Sequence, residues 1–242
     1  MGRRPKHAFV ETLLQLDTDD VSDVAAELAR RQLLVASTEK GTITLDSLIS
    51  LASHGQLNVA SVSDAVVNVP KITGRVGVST ILSRYVSLRS KYALVLNGVL
   101  TPRSLYNVAS ASIPVTQLML ESLSPAIVSP NATLLGALRR MRERGSVCAF
   151  VVRSGKLKGV IDAWSTLLVT VNEGKSGLEA SCSDYLRKEP LSFSYPEFSE
   201  AIMRYGFAAL IVGDQVTIVD DVSLYTSLVK HSSEWLHNLN GR

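Results

Sequence analysis

Four times in this chain a threonine or aspartate is followed three residues later by a serine, between an apolar strand-like run and a helical pattern. The copies are Thr44-Leu45-Asp46-Ser47, Thr101-Pro102-Arg103-Ser104, Asp162-Ala163-Trp164-Ser165 and Asp220-Asp221-Val222-Ser223. Residues three apart at a helix start lie on one side of its first turn, where unbonded backbone N–H groups and the macrodipole attract negative charge. A hydroxyl or carboxylate at the first position therefore has two possible employments. It can cap the helix by accepting from those N–H groups, which needs no ligand. Alternatively, the pair can help to hold an anionic ligand at the helix N-terminus.

The copies are 57, 61 and 58 residues apart, so the chain is a repeat protein whose unit is a supersecondary motif rather than a short solenoid turn. Each unit must first place a helix. The apolar stripes are Val21, Val24 and Leu28 after Thr18 as N-cap; Val78, Ile81, Leu82 and Tyr85; Leu134, Leu138 and Met141 after Ser129-Pro130; and Phe198, Ile202 and Tyr205 after Tyr195-Pro196. Gly145 and Gly206 stop the last two helices. A continuous apolar run follows each helix, at 33–36, 93–96, 147–152 and 208–212, as expected of strands covered on both faces. Polar turns at Lys40-Gly41, Asn97-Gly98, Ser154-Gly155 and Gly213-Asp214 fold each run into a hairpin. The returning strand delivers the chain to the repeated phrase and a second helix. The fold class is thus α/β, with α+β type repeats in the order strand, helix, strand, strand, helix.

At 242 residues the chain buries about three quarters of its unfolded surface without a metal or disulfide. Its apolar runs are strand length, far short of the roughly 20 residues of a membrane span. The basic start Met1–Lys6 lacks the apolar stretch of a secretory signal, so a cytoplasmic location is expected. Cys148 and Cys182 give neither a disulfide framework nor a zinc pattern and are expected as free thiols. The net charge of +3 is dispersed apart from the first residues and the stretch 139–144, whose arginines suit a solvated helix C-terminus, so nucleic acid is not indicated. No catalytic triad, carboxylate pair or metal spacing can be assembled, and the histidines, His54, His231 and His237 among them, form no metal constellation. The segment Gly74–Thr80 lacks the Gly-Lys-Ser/Thr ending of a P-loop and is expected as the turn into a helix, with Arg75 and Ser79 the residues that could face an anion. Trp164 is expected to pack rather than to stack on a base.

Several stretches resemble CBS domains, the cystathionine-β-synthase type repeats that pair into Bateman modules. In the third unit they are Ser124–Val128 leading into Ala132–Leu135, Met141–Gly145 with Phe150–Val152, and Lys156–Ile161; in the fourth, Tyr185–Leu191 and Glu200–Gly206; the first two units carry the likeness more faintly. The resemblance implies repeats at 1–56, 57–112, 113–176 and 177–242, paired as modules 1–112 and 113–242, with no catalytic domain fused to them. It also implies association, either as a disc formed within one chain or as a homodimer.

In this family the hairpin ends in Gly-h-h-Thr-x-x-Asp, where h is apolar; the hydroxyl meets a phosphate and the aspartate accepts both ribose hydroxyls of an adenosine ligand. By resemblance the phosphate-side positions are Thr44, Thr101, Asp162 and Asp220, and the ribose-side positions Ser47, Ser104, Ser165 and Ser223. Serine offers one short hydroxyl in place of a two-oxygen anionic acceptor, and Asp162 and Asp220 place like charge against a phosphate. The first pair is therefore expected to hold the better site. The implied function is a non-enzymatic sensor that requires no cofactor, binds AMP, ADP, ATP or S-adenosylmethionine, and reports to an unidentified protein target. The alternative is a scaffold whose nucleotide sites are degenerate.

Overall fold

A computed structural model describes residues 10–74, 77–96, 98–110, 125–188, 191–192 and 194–240. Met1–Lys6, Arg75, Asn97, Ser124 and the Glu189-Pro190 pair, all used above, lie outside the described residues.

The first repeat runs β2 (Leu14–Gln15), α1 (Val21–Arg31), β3 (Val35–Thr38), β4 (Gly41–Thr44) and α2 (Leu45–Ser53). The second runs β6 (Lys71–Ile72), α4 (Val78–Ser87), β7 (Ala93–Val95), β8 (Gly98–Leu100) and α5 (Pro102–Ala109). The third has β9 (Ile127–Val128), α6 (Leu134–Arg144), β10 (Cys148–Arg153), β11 (Lys156–Asp162) and α7 (Ala163–Leu178); the fourth has β12 (Leu191–Ser192), α8 (Tyr195–Tyr205), β13 (Ala208–Val212), β14 (Gln215–Val219) and α9 (Asp221–Lys230), followed by α10 (Ser232–Asn240). In each repeat the entering strand pairs parallel with the first hairpin strand, and the hairpin itself is antiparallel.

Strands outside the repeats tie them into pairs. β1 (Glu11–Thr12), ahead of the first repeat, pairs antiparallel with β8 of the second, and β5 (Val66–Val67), which follows the short helix α3 (Val62–Ala65), pairs antiparallel with β4 of the first. Arg187, ahead of the fourth repeat, bridges Val160 of the third in the same manner. These three segments thus extend the hairpins of the second, first and third repeats.

Helices join the two pairs. α1 packs on α7 and α2 on α6, while α5 packs on α8 and α9. One buried cluster accordingly merges the first and third repeats, with Val24, Leu28, Leu48, Leu134, Met141 and Leu167 among its members. Another merges the second and fourth, through Leu82, Tyr85, Leu105, Phe198, Ile202 and Leu224. The repeats pair by strands along the sequence and by apolar helix faces across it, closing on one another within a single chain.

Three local expectations are corrected. The N-cap of α1 is Asp20, which accepts from Ser22 N, while Thr18 bonds Asp23 and the Asp20 amide instead. Thr133 caps α6, so Ser129-Pro130 forms the turn before it. Val78 sits in the exposed first turn of α4, which leaves Ile81, Leu82 and Tyr85 as its buried stripe. Gly145 and Gly206 end their helices in the left-handed region at φ 66° and 80°; the equivalent place after α1 is taken by Gln32, at φ 53°.

Candidate functional site

All four phrases fold into helix caps. Thr44 accepts from Ser47 N at 3.2 Å while Thr44 N donates back to Ser47 Oγ at 3.2 Å, a reciprocal capping box in which serine takes the place of the usual glutamate. Thr101 and Ser104 repeat this geometry at 3.2 Å in both directions. Asp162 accepts from Ser165 N at 2.8 Å and from Ser165 Oγ, and Asp220 accepts from Ser223 N at 2.8 Å. The four cap residues are buried. The serines that stand where the resembled family has aspartate are drawn inward to the caps. Of the eight residues, Ser47 and Ser165 keep partial exposure.

The linker strands set each phrase in a different electrostatic setting. Glu11 lies opposite Val99, and its carboxylate reaches two residues on to Thr101, whose hydroxyl donates to Oε1; it also takes a two-point bond from Arg103. Arg187 lies opposite Val160 and likewise reaches two residues on, its Nη1 bonding Asp162 Oδ2 at 2.9 Å. At the corresponding place of the first repeat Val67 lies opposite Thr42, two residues before Thr44. Among the described residues no charged side chain bonds Thr44.

Middle residues of the first and fourth phrases, Asp46 and Asp221, converge between the repeats. Lys91, in the loop before β7, donates to Asp46 at 2.8 Å, Asp221 at 2.8 Å and Gly145 O at 2.7 Å, so one ammonium touches all four repeats with its three donors used. Asp221 also accepts from Ser146 Oγ and Val147 N, and Tyr92 donates to Asp46. Burial opposes the charge on Lys91, but Asp221 and Asp46 outweigh it and hold the amine protonated well beyond the ordinary lysine range. Burial lifts Asp46 above the usual aspartate value despite Lys91. It also lifts Asp220, with a further contribution from the adjacent Asp221.

Arg103 makes a second junction. Its Nη1 bonds Arg204 O at 2.6 Å, its Nη2 reaches Gln32 O at 3.5 Å, and the guanidinium lies 5.9 Å from the Trp164 ring. Trp164 is buried, stacks on Phe207 at 6.2 Å and donates its N–H to Leu33 O at 2.9 Å, which is the packing role expected.

Sequence reasoning missed Glu11, Arg187, Lys91 and the second role of Asp46, Arg103 and Asp221. These residues lie where the repeats differ from one another. For Asp46, Arg103 and Asp221 the usable signal was charge standing in the variable middle of the phrase.

Other candidates add little. Cys148 and Cys182 are free and buried, and burial pushes the thiol of Cys148 far up and that of Cys182 to about 11, which leaves both unreactive. Among the described residues no group of three or more His, Cys, Asp or Glu could hold a metal ion, and no helix is long and apolar enough to cross a membrane. A surface cleft of about 260 Å³ is lined by Asp17, Thr18, Asp19, Glu39 and Lys40, none of them in a phrase.

Residues 115–166 match the CBS domain family. No curated protein matches the chain. Among solved structures, protein MJ1225 from Methanocaldococcus jannaschii, described as a candidate archaeal homologue of g-AMPK, is 10% identical with a TM-score of 0.66 over 89% of this chain and 95% of that one. An uncharacterized conserved protein from Pyrococcus horikoshii is 14% identical, with a TM-score of 0.49 over 80% of this chain and 89% of that one. OpuCA from Staphylococcus aureus is 20% identical, with a TM-score of 0.31 over 46% of this chain and 96% of that one. Of these three, the first carries the fold.

Proposed function

We propose that this CBS-domain protein is a regulatory sensor that binds an adenosine-containing ligand through its first module, with Thr44 as the phosphate-side residue. The observation that supports this reading is the contrast among the four phrases. The first alone combines a hydroxyl cap, an uncharged linker neighbour in Val67, and partial exposure of both middle and last residues, Asp46 and Ser47. A phosphate arriving there meets a hydroxyl at the positive end of the α2 dipole, with no linker carboxylate to displace. Arg187 already neutralises the cap carboxylate at Asp162, and Asp220 presents a carboxylate of its own. The described likeness of MJ1225 to g-AMPK supports an adenosine nucleotide as the ligand class.

The ligand would bias how the repeats sit against one another, and a partner protein could read that bias as a population shift. No covalent step is part of the reading, and a cytoplasmic setting belongs to it. A thermal-shift screen against AMP, ADP, ATP, S-adenosylmethionine, NAD and GTP tests it. Ligand at about 100 times its dissociation constant should stabilise the fold by about 2.7 kcal/mol. Thr44→Asp keeps an N-capping acceptor but adds a charge against phosphate, so the shift should vanish in that variant while its own stability holds.

A second reading, a scaffold with vacated nucleotide sites, is favoured by one observation: Glu11 and Arg187 fill the corners at Thr101 and Asp162 with the chain's own charges. Absence of a shift with all six ligands at millimolar concentration would establish it over the sensor.

A further inference from the structure

We infer that the Thr101–Arg103 corner is a second phosphate site, held shut by the chain's own Glu11, and that a di- or triphosphate group opens it by displacing that carboxylate together with β1. The inference rests on the nucleotide reading for the identity of the ligand, but its chemistry is independent of Thr44.

The corner is already an anion site, and its occupant is the protein itself. Arg103 is 9% exposed. Two backbone carbonyls, Arg204 O and Gln32 O, and the ring of Trp164 fix its guanidinium. Its Nε and Nη2, the latter shared with Gln32 O, take both oxygens of Glu11. The Thr101 hydroxyl donates to the same carboxylate at the N-terminus of the eight-residue helix α5. A guanidinium edge that grips a carboxylate at two points grips a phosphate in the same geometry, and a diphosphate brings more charge to the site than one carboxylate does.

The strand that carries the occupant is short. β1 is two residues long and sits at the edge of its sheet, paired only through Glu11 with Val99 and Thr12 with Gly98. It can lie there because residue 98 has no side chain. A Cβ at position 98 would stand 2.1 Å from Val10 Cγ1 and 2.7 Å from the backbone oxygen of Glu11, so any larger residue must push the strand away. The equivalent corner at Asp162 has the charges reversed, with carboxylate on the cap and cation on the linker. Releasing Arg187 there would expose an anion, so the device belongs to the first module.

Two variants that open the corner by different routes test this, with inorganic pyrophosphate and ADP as the probes in titration calorimetry. Glu11→Gln weakens the plug, and Gly98→Ala lifts the strand that carries it. Each should bind pyrophosphate at least tenfold more tightly than the wild type, and the added Arg103→Met substitution should abolish the gain. In the wild type, saturating pyrophosphate should speed hydrogen exchange at the amides of Glu11 and Thr12. If Glu11→Gln does not fold, Gly98→Ala and the exchange measurement decide alone. Unchanged pyrophosphate affinity in the folded variants, a gain that survives Arg103→Met, or unchanged exchange would overturn the proposal. Failure here with an adenosine-ligand shift intact in the wild type sinks this site alone. A pyrophosphate response without any adenosine-ligand shift sinks the nucleotide reading and leaves a simple anion site.

Discussion

Glu11 and Arg187 occupy one structural position in two modules, and they carry opposite charge. Each lies opposite the hairpin residue two before the cap, Val99 or Val160, and each reaches that cap. The acid faces a hydroxyl and the base faces a carboxylate, so cap and linker are matched as a unit rather than residue by residue. The first repeat has Val67 at this position and sets no linker charge against Thr44. The comparison shows how one repeated backbone yields corners of different affinity: the linker side chain decides whether the cap is neutralised, plugged or open.

The comparison can be broken most severely at the centre that holds the corners together. Lys91→Met would leave Asp46 and Asp221 facing each other without their shared cation. Losing one partner of a buried ion pair costs about 3–5 kcal/mol, which a urea-unfolding midpoint would read directly; a loss within about 0.5 kcal/mol, the range of an ordinary surface substitution, would show that the junction is incidental.

Within the second module the two aspartates should part company. Asp162→Asn removes the charge that Arg187 bonds, and should cost about 1.5–3 kcal/mol as a charge-assisted bond is lost. Asp220→Asn keeps an N-cap acceptor while removing a charge that burial and Asp221 disfavour, so at pH 7 it should be neutral or stabilising. The sign with pH follows from the raised folded value. Wild-type protein binds the proton more tightly when folded, so its deficit against Asp220→Asn should shrink as pH falls below that raised value toward 3.8. A deficit that grew on acidification would contradict the assignment.

The smallest expected effect concerns the caps themselves. Ser104→Ala removes one half of a capping box, and should cost about 0.5–1.5 kcal/mol in a thermal melt. A larger loss would mean that Ser104 does more than cap α5.

Period and pattern made the repeats legible. The apolar runs at 147–152 and 208–212 became β10 and β13 nearly in place, and Gly145 and Gly206 ended their helices, because local propensity and burial agree at those points. The phrases were legible as helix starts for the same reason. What could not be read was partnership across the sequence. Glu11 meets Thr101 and Lys91 meets Asp221 through strand pairing and helix packing between distant segments, and neither contact leaves a trace in local periodicity. The N-cap shift from Thr18 to Asp20 is a smaller instance: both residues suit a cap, and the contact of Asp20 with Ser61 in the α3 region selects between them.

The central claim is that the open corner of the first module carries the adenosine site. Titration calorimetry of AMP into the wild type, Thr44→Asp and Asp220→Asn tests it most directly. The account predicts saturable binding that weakens at least tenfold in Thr44→Asp and is unchanged in Asp220→Asn. Equal affinity in Thr44→Asp, or no saturable binding in the wild type at millimolar AMP, would contradict it.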